Sequence, residues 1–236
     1  MKAWGPELRS IAVALGCVLL VRTVVAEPYS VPSGSMVPTL LVGDELIGAK
    51  FAYGYGKYSS PIGLLPEFSG RLFDKAPERG DVIVFRLPRD PSQTYVKRLI
   101  GLPGDRIQMK QGRLWINDAL VPRRNVGAYG DDKLYVETLP GGHEHEIVEI
   151  SDSDRQDDTP VFTVPAGHYF MMGDNRDNSL DSRVAASRGG VGFVPEENLV
   201  ARADRLLLSR DTSVGWRDVA EWPHAFRLGR FLGRIE

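Results

Sequence analysis

The chain has 236 residues, 42% hydrophobic and 25% charged, with a formal net charge of −2. These values exclude a disordered chain and give no basic surface of the kind that nucleic-acid binding needs. Cys17 is the sole cysteine, so no internal disulfide is available, and 25 Gly and 16 Pro set between short apolar runs favour a mostly β body.

Lys2 and Arg9 precede an unbroken apolar or small-residue run over 11–21; Arg22 interrupts it and Thr23-Val24-Val25-Ala26 continues. Two readings stand. One is a cleaved signal peptide with Val24-Val25-Ala26 as its small-residue site. The other is a retained anchor, although about sixteen residues at ~1.5 Å each fall short of a ~30 Å hydrocarbon core. Lys2 and Arg9 favour a cytoplasmic start, and Arg22 on the far side weakens that signal.

Residues 40–50 read as strand, turn, strand around Gly43-Asp44. Residues 51–71 read as a long aromatic loop (Tyr53, Tyr55, Tyr58, Leu64, Leu65, Phe68), either packing over a core edge or dipping into lipid. A turn at Arg79-Gly80-Asp81 leads into a strand, Asp81-Val82-Ile83-Val84-Phe85. Pro88, Asp90 and Pro91 end it, and the next strand runs over 93–100. Tyr95, Lys97 and Leu99 share one of its faces, and Val96, Arg98 and Ile100 share the other. From about Arg106 to Pro165 the texture changes, with a strand over 113–116 and an acidic loop over 152–158. His168-Tyr169-Phe170-Met171-Met172 reads as a buried strand, and residues 198–208 as a closing one. The tail, with Trp216, Trp222, Phe226 and Phe231 among four arginines, reads as a helix on a membrane surface or against the body.

Ser35 lies in a Pro32-Ser33-Gly34-Ser35 bend, where glycine lets a substrate approach the backbone closely. A serine hydroxyl needs a base. His143, His145, His168 and His224 all stand in settings without a catalytic pattern; His143 and His145, two apart, lack the further ligands of a metal site. A lysine serves as base once burial lowers its pKa by ~2–3 units. Lys97 lies between Tyr95 and Leu99 on an apolar strand face, but spacing alone favours an ordinary surface lysine. Asp174-Asn175-Arg176-Asp177-Asn178 fails as a calcium loop, because Arg176 stands where Asp or Asn belongs and no Glu follows at the required distance. Asp181 and Arg183 are candidates for an ion pair steadying Ser179.

Five segments in order resemble the boxes of bacterial type I signal peptidase, a Ser/Lys-dyad endopeptidase family. They are Pro32 to Leu40 with Gly43-Asp44, Arg79 to Phe85, Tyr95 to Asp105, and Gly173-Asp174-Asn175-Arg176-Asp177-Asn178-Ser179 through Arg183. The resemblance implies that Ser35 is the nucleophile and Lys97 the general base. It also implies that Ser33 and the Ser35 N–H form the oxyanion hole, that Ser179 orients the lysine, and that Asp181 and Arg183 support it. Val31, Met36, Leu40, Tyr95 and Val96 match positions lining two shallow pockets for small side chains. The implied fold is mostly β: two antiparallel β domains, a catalytic core with an inserted smaller one, behind one N-terminal transmembrane helix. In this sequence that divides as a cytoplasmic 1–9, an anchor 10–27, a core 28–105 and 166–212, an insert 106–165 and an amphipathic tail 213–236.

No cofactor and no metal are expected. The expected partners are signal peptides of secretory precursors and membrane lipid, with no nucleic acid, and the expected location is the bacterial inner membrane with the body outside. The sequence departs from the best-known enteric form in having one apolar segment and no cysteine pair in the insert, and 184–191 is longer than usual. Two alternatives keep the fold: a processing peptidase dedicated to a few partners, and an inactive binding protein. Val24-Val25-Ala26 also resembles a substrate of such an enzyme, which raises self-cleavage there as a hypothesis that the sequence does not decide.

Overall fold

The computed structural model describes residues 5–59, 70–215 and 221–236. Leu64, Leu65 and Phe68 of the aromatic loop, and Trp216 of the tail, lie outside the described residues.

The chain opens with a helix, α1 (Gly5–Val24), whose apolar side chains, Ile11, Val13, Leu15, Val18 and Leu20 among them, are exposed. It also carries Glu7, Arg9 and Arg22, and among the described residues no helix is long and apolar enough to cross a membrane. The root of α1 is tied down. Lys50 Nζ donates to the Arg22 carbonyl (3.0 Å) and to Glu27 (2.8 Å), and the Tyr55 hydroxyl donates to the Val24 carbonyl (2.7 Å).

Strands β1 (Ala26–Ser30), β2 (Asp44–Ala49), β3 (Val82–Leu87) and β4 (Asp90–Gly101) follow. Residues 40–43 do not form the first of the two expected strands. Pro38 cannot donate to a ladder, and the segment closes instead through the bonds Leu40 N to Met36 O and Leu41 N to Asp44 Oδ2 (both 2.8 Å). Next come β5 (Arg106–Lys110), β6 (Arg113–Ile116), β7 (Ala119–Leu120), β8 (Arg123–Tyr129), β9 (Asp132–Thr138), β10 (Glu144–Glu149) and β11 (Phe162–Thr163). The chain ends with β12 (His168–Met172), β13 (Val194–Pro195), β14 (Leu199–Ser209) and a single helical turn, α2 (Trp222–Ala225).

The described strands form three antiparallel sheets. The largest has the order β1-β2-β14-β3-β4-β12-β13; the others are β10-β9-β8 and β11-β5-β6-β7. Strand β3 is central and covered on both faces. Ile83, Phe85 and Leu87 enter one apolar cluster and Val82 and Val84 another, as the period of two requires. In β4 the same alternation sends Leu99 to the first cluster and Val96 to the second. Ile107, Met109, Leu114 and Ile116 pack against Ile100, Phe170 and Met172, so the four-stranded sheet shares a core with the large one.

The tail does not form the expected amphipathic helix. Among its described residues only α2 is α-helical. Beyond it the arginines bind the body: Arg230 donates to the Thr39 carbonyl (2.9 Å) and to Asp44 (2.6 Å), and Arg227 to the Val42 carbonyl (3.1 Å). Ile235 packs onto the cluster containing Val31 and Met36.

Candidate active site

A turn, a strand and a loop converge beside β4. Ser35 sits in the 33–39 turns, Lys97 near the middle of β4, and Ser179 in the loop after β12. Lys97 is 3% exposed, and its Nζ hydrogen-bonds with Ser35 Oγ. Burial pushes the Lys97 ammonium down to about 8; Asp181 and Asp174 counteract part of the shift, and Arg183 adds to it. The Ser33 hydroxyl lies 3.4 Å from Ser35 Oγ.

Ser179 is buried, its Oγ has no hydrogen-bond partner among the described residues, and it lines the same cleft as Ser35 and Lys97. Its loop is anchored by Asp181, which accepts from Gly173 N (3.0 Å), Arg183 Nε (2.9 Å) and Arg183 Nη2 (2.8 Å). Burial alone would raise the Asp181 carboxyl. The Arg183 guanidinium and the amides of Gly173 and Arg183 hold it below its ordinary value.

Three positions that the sequence placed in a matching segment, without a role of their own, also build the site. Asp174 accepts from Arg98 Nε and Nη2 (both 2.8 Å) and from the Thr39 hydroxyl (2.6 Å), joining the Ser35 turns to β4. Asn175 Nδ2 donates to the Gly34 carbonyl, and Asn175 N to the Ser35 carbonyl (both 3.2 Å). At Gly173 an added Cβ would lie 2.3 Å from Ser179 Oγ and 2.4 Å from the Ser35 carbonyl, so only glycine fits. A motif read as a string shows that these residues occur together, but not that they hold two distant segments in register.

The cleft has a volume of about 930 Å³. Val31, Tyr95 and Val96 line it, as do Tyr29, Leu46 and Val84, which sequence reasoning missed; β2 and β3 carry Leu46 and Val84 on the side that meets Val96. Met36 and Leu40 are not in its wall. Both are fully buried in the cluster that also contains Val31.

The histidines stand apart from Ser35. His145 is buried 3.6 Å from Glu137, and burial together with Arg98 and Arg176 pushes its pKa well down. His143 Nε2 lies 3.3 Å from Arg98. A serine hydroxyl against a buried amine, in a cleft lined partly by apolar side chains, is an arrangement suited to a serine hydrolase.

The sequence model of the family described as "Signal peptidase, peptidase S26" matches residues 4–208. The chain is 42% identical over 257 aligned positions to signal peptidase I of Rickettsia canadensis, covering 99% of this chain and 94% of that one. It is 43% identical over 252 positions to signal peptidase I of Rickettsia typhi, covering 97% and 93%. A signal peptidase I crystal structure from Enterococcus faecalis aligns with a TM-score of 0.35 at 29% identity, covering 54% of this chain and 97% of that one. The chain belongs to the signal peptidase family, peptidase S26. It is a serine endopeptidase that removes signal peptides from precursor proteins.

Proposed function

We propose that Ser35 is the nucleophile of this signal peptidase and Lys97 its general base. The observation that carries the reading is the contact between Lys97 Nζ and Ser35 Oγ on a lysine that burial has brought down to about 8. Neutral Lys97 takes the hydroxyl proton as Ser35 Oγ attacks the carbonyl carbon of the scissile peptide. The oxyanion is stabilised by the Ser35 N–H and the Ser33 hydroxyl; one such donor is typically worth ~3–4 kcal/mol. Collapse breaks the C–N bond, and the leaving amine takes the proton from Lys97. Water then attacks the acyl ester, giving up a proton to Lys97; the bond between the acyl carbon and Ser35 Oγ breaks, and Ser35 Oγ takes that proton back as the carboxyl product leaves.

Ser179 keeps the amine aimed as it cycles between its two protonation states, and Asp181 and Arg183 fix the loop that carries Ser179. Val31, Tyr95 and Val96 bound pockets for small side chains, with Met36 and Leu40 as packing behind them; a wall of methyl groups admits Ala-x-Ala and excludes larger residues by overlap.

The anchor and the domain layout are part of the same proposal. Segment α1 holds the enzyme at the inner membrane, with the catalytic core, 28–105 and 166–212, on the extracytoplasmic side and 106–165 as its inserted second domain. The uncharged stretch 10–21 spans only ~18 Å, short of a ~30 Å core, so Arg9 and Arg22 must snorkel to the two interfaces. The exposed apolar side chains of α1 support this reading.

The deciding assay is cleavage of a precursor whose signal ends Ala-x-Ala. Ser35→Ala and Lys97→Ala are expected to lose activity while remaining folded by circular dichroism. Full activity in either variant removes that residue from the mechanism.

A further inference from the structure

Behind the wall of the cleft that carries Gln156 and Asp177, three acids meet from three separate parts of the chain. Glu149 ends β10, Asp157 lies in the following loop, and Asp177 lies two residues before Ser179. Each contributes one carboxylate oxygen to a group whose members all lie within 4.8 Å of one another. Glu149 and Asp157 are both 0% exposed.

Proximity of acids alone would mean little, but their hydrogen bonding sets these apart. Glu149 Oε1, Asp157 Oδ1 and Asp177 Oδ1 are each buried with no donor among the described residues. Their second oxygens are all engaged: Glu149 Oε2 by Arg123, Asp157 Oδ2 by Asp154 N, and Asp177 Oδ2 by Ile150 N and Ser151 N. The Gln156 amide oxygen, next in the same loop, is also buried without a donor. A buried acceptor left unpaired is costly, and several facing one another are more so.

The nearby cations offset the group only in part. Arg176 is committed to Glu137 and Arg183 to Asp181. Arg123 serves Glu149 but is shared with Asp152 (2.7 Å). Arg176 and Arg183 also attract Glu149 and Asp157, respectively, but neither donates a hydrogen bond to the three acids, whose only direct guanidinium partner among the described residues is the shared Arg123.

We propose that Glu149, Asp157 and Asp177 form a site for a divalent calcium-class cation that fastens the Ser179 loop to the end of β10. Hard oxygen donors without nitrogen or sulfur select calcium or magnesium over zinc. Three carboxylates and water can fill the loose shell that calcium accepts, whereas magnesium demands a near-ideal octahedron. The same Asp177 was set aside above as a member of a calcium loop; its partners here come from Glu149 and Asp157, which no contiguous motif would reveal. The site is distinct from the Ser35–Lys97 pair, and its test does not depend on that pair.

The full chain in detergent, stripped with chelator, is titrated with calcium chloride and separately with magnesium chloride, by calorimetry and by thermal unfolding. One saturable calcium site is expected with Kd about 0.1–1 mM, the range of extracellular modules. At a calcium excess, Tm should rise by about 3–6 °C. Glu149→Gln and Asp177→Asn preserve shape and hydrogen-bond acceptors; each should abolish the calcium-dependent rise while still unfolding cooperatively. Equal Tm with calcium and with chelator in the wild type overturns the proposal, as does a calcium response that survives in both variants, which would mean an adventitious surface site.

Discussion

As the proposed general base, Lys97 should set the pH behaviour of the enzyme. The amine must be neutral to accept the Ser35 proton, and burial places its pKa at about 8 rather than in the ordinary lysine range. Activity should therefore climb about tenfold per pH unit up to about pH 8 and level off above it. A pH–rate profile flat between about pH 6 and about pH 9 would sink Lys97 as the base. The same shift bears on stability. The folded state binds fewer protons at this site than the unfolded chain between pH 8 and the unperturbed 10.5, so stability gains with rising pH across that window. Below it the charged amine costs the fold up to about 3 kcal/mol. Lys97→Met should accordingly be inactive and yet melt higher than wild type at neutral pH; a lower Tm would show that the ammonium is well solvated in the fold. Gly173 is the second residue on which the geometry turns. Gly173→Ala pushes a methyl into both Ser179 and the Ser35 carbonyl, and a displacement of that order should cut kcat by about 100-fold or more. Near-wild-type kcat in this variant would mean that the two segments can separate without penalty.

Among the elements, β10 matters beyond its own small sheet. Val148 N donates to the Asp174 carbonyl and Arg176 N to the Val148 carbonyl (both 2.9 Å), so the catalytic loop is stitched to the end of β10. Beneath it Arg176, fully buried, pairs with Glu137 of β9. Glu137→Ala would leave that guanidinium buried without its partner, which typically costs about 3–5 kcal/mol. Denaturant unfolding should show a loss of that size; a loss below about 1 kcal/mol would mean that Arg176 finds water or another acid. This coupling was invisible in the sequence, because Glu137 and Arg176 are far apart and lie in no shared pattern. What was legible follows from local physics: β3 from its unbroken β-branched apolar run, the Lys97 strand from its β-branched and aromatic residues, and the turn at Gly80, whose φ is +99°. One failure came from a local side-chain bond and the other from long-range partners. The 40–43 segment is drawn into turns by Asp44, and the tail arginines are captured by the Thr39 carbonyl and Asp44 instead of supporting a helix. Lys97 shows both sides: spacing alone favoured a surface lysine, and only the packing of the Ser35 turns, brought in by Asp174 and Asn175, buries it.

At the scale of the whole molecule, α1 stands outside the apolar clusters while its root is locked. Lys50, fully buried, bonds both the Arg22 carbonyl and Glu27, and burial lowers its pKa against the opposing pull of Glu27. Strand β1 begins at Ala26, paired with Ala49, so the Val24-Val25-Ala26 sequence is held in place and would have to unpair before it could be cut. Nothing in the packed core depends on the helix: every member of the three apolar clusters lies beyond it. Removal of residues 1–24 should therefore leave a folded enzyme, with Lys50 keeping Glu27 as its partner. That form should cleave a short soluble Ala-x-Ala peptide with kcat/KM near that of the full chain. Its cleavage of a precursor inserted in lipid vesicles should fall at least tenfold, because the substrate is no longer presented at the high effective concentration that sharing a bilayer provides. The two substrates assayed side by side separate the contributions. Loss of peptide cleavage would mean that α1 completes the fold of the site, and equal vesicle cleavage by both forms would mean that α1 is no anchor.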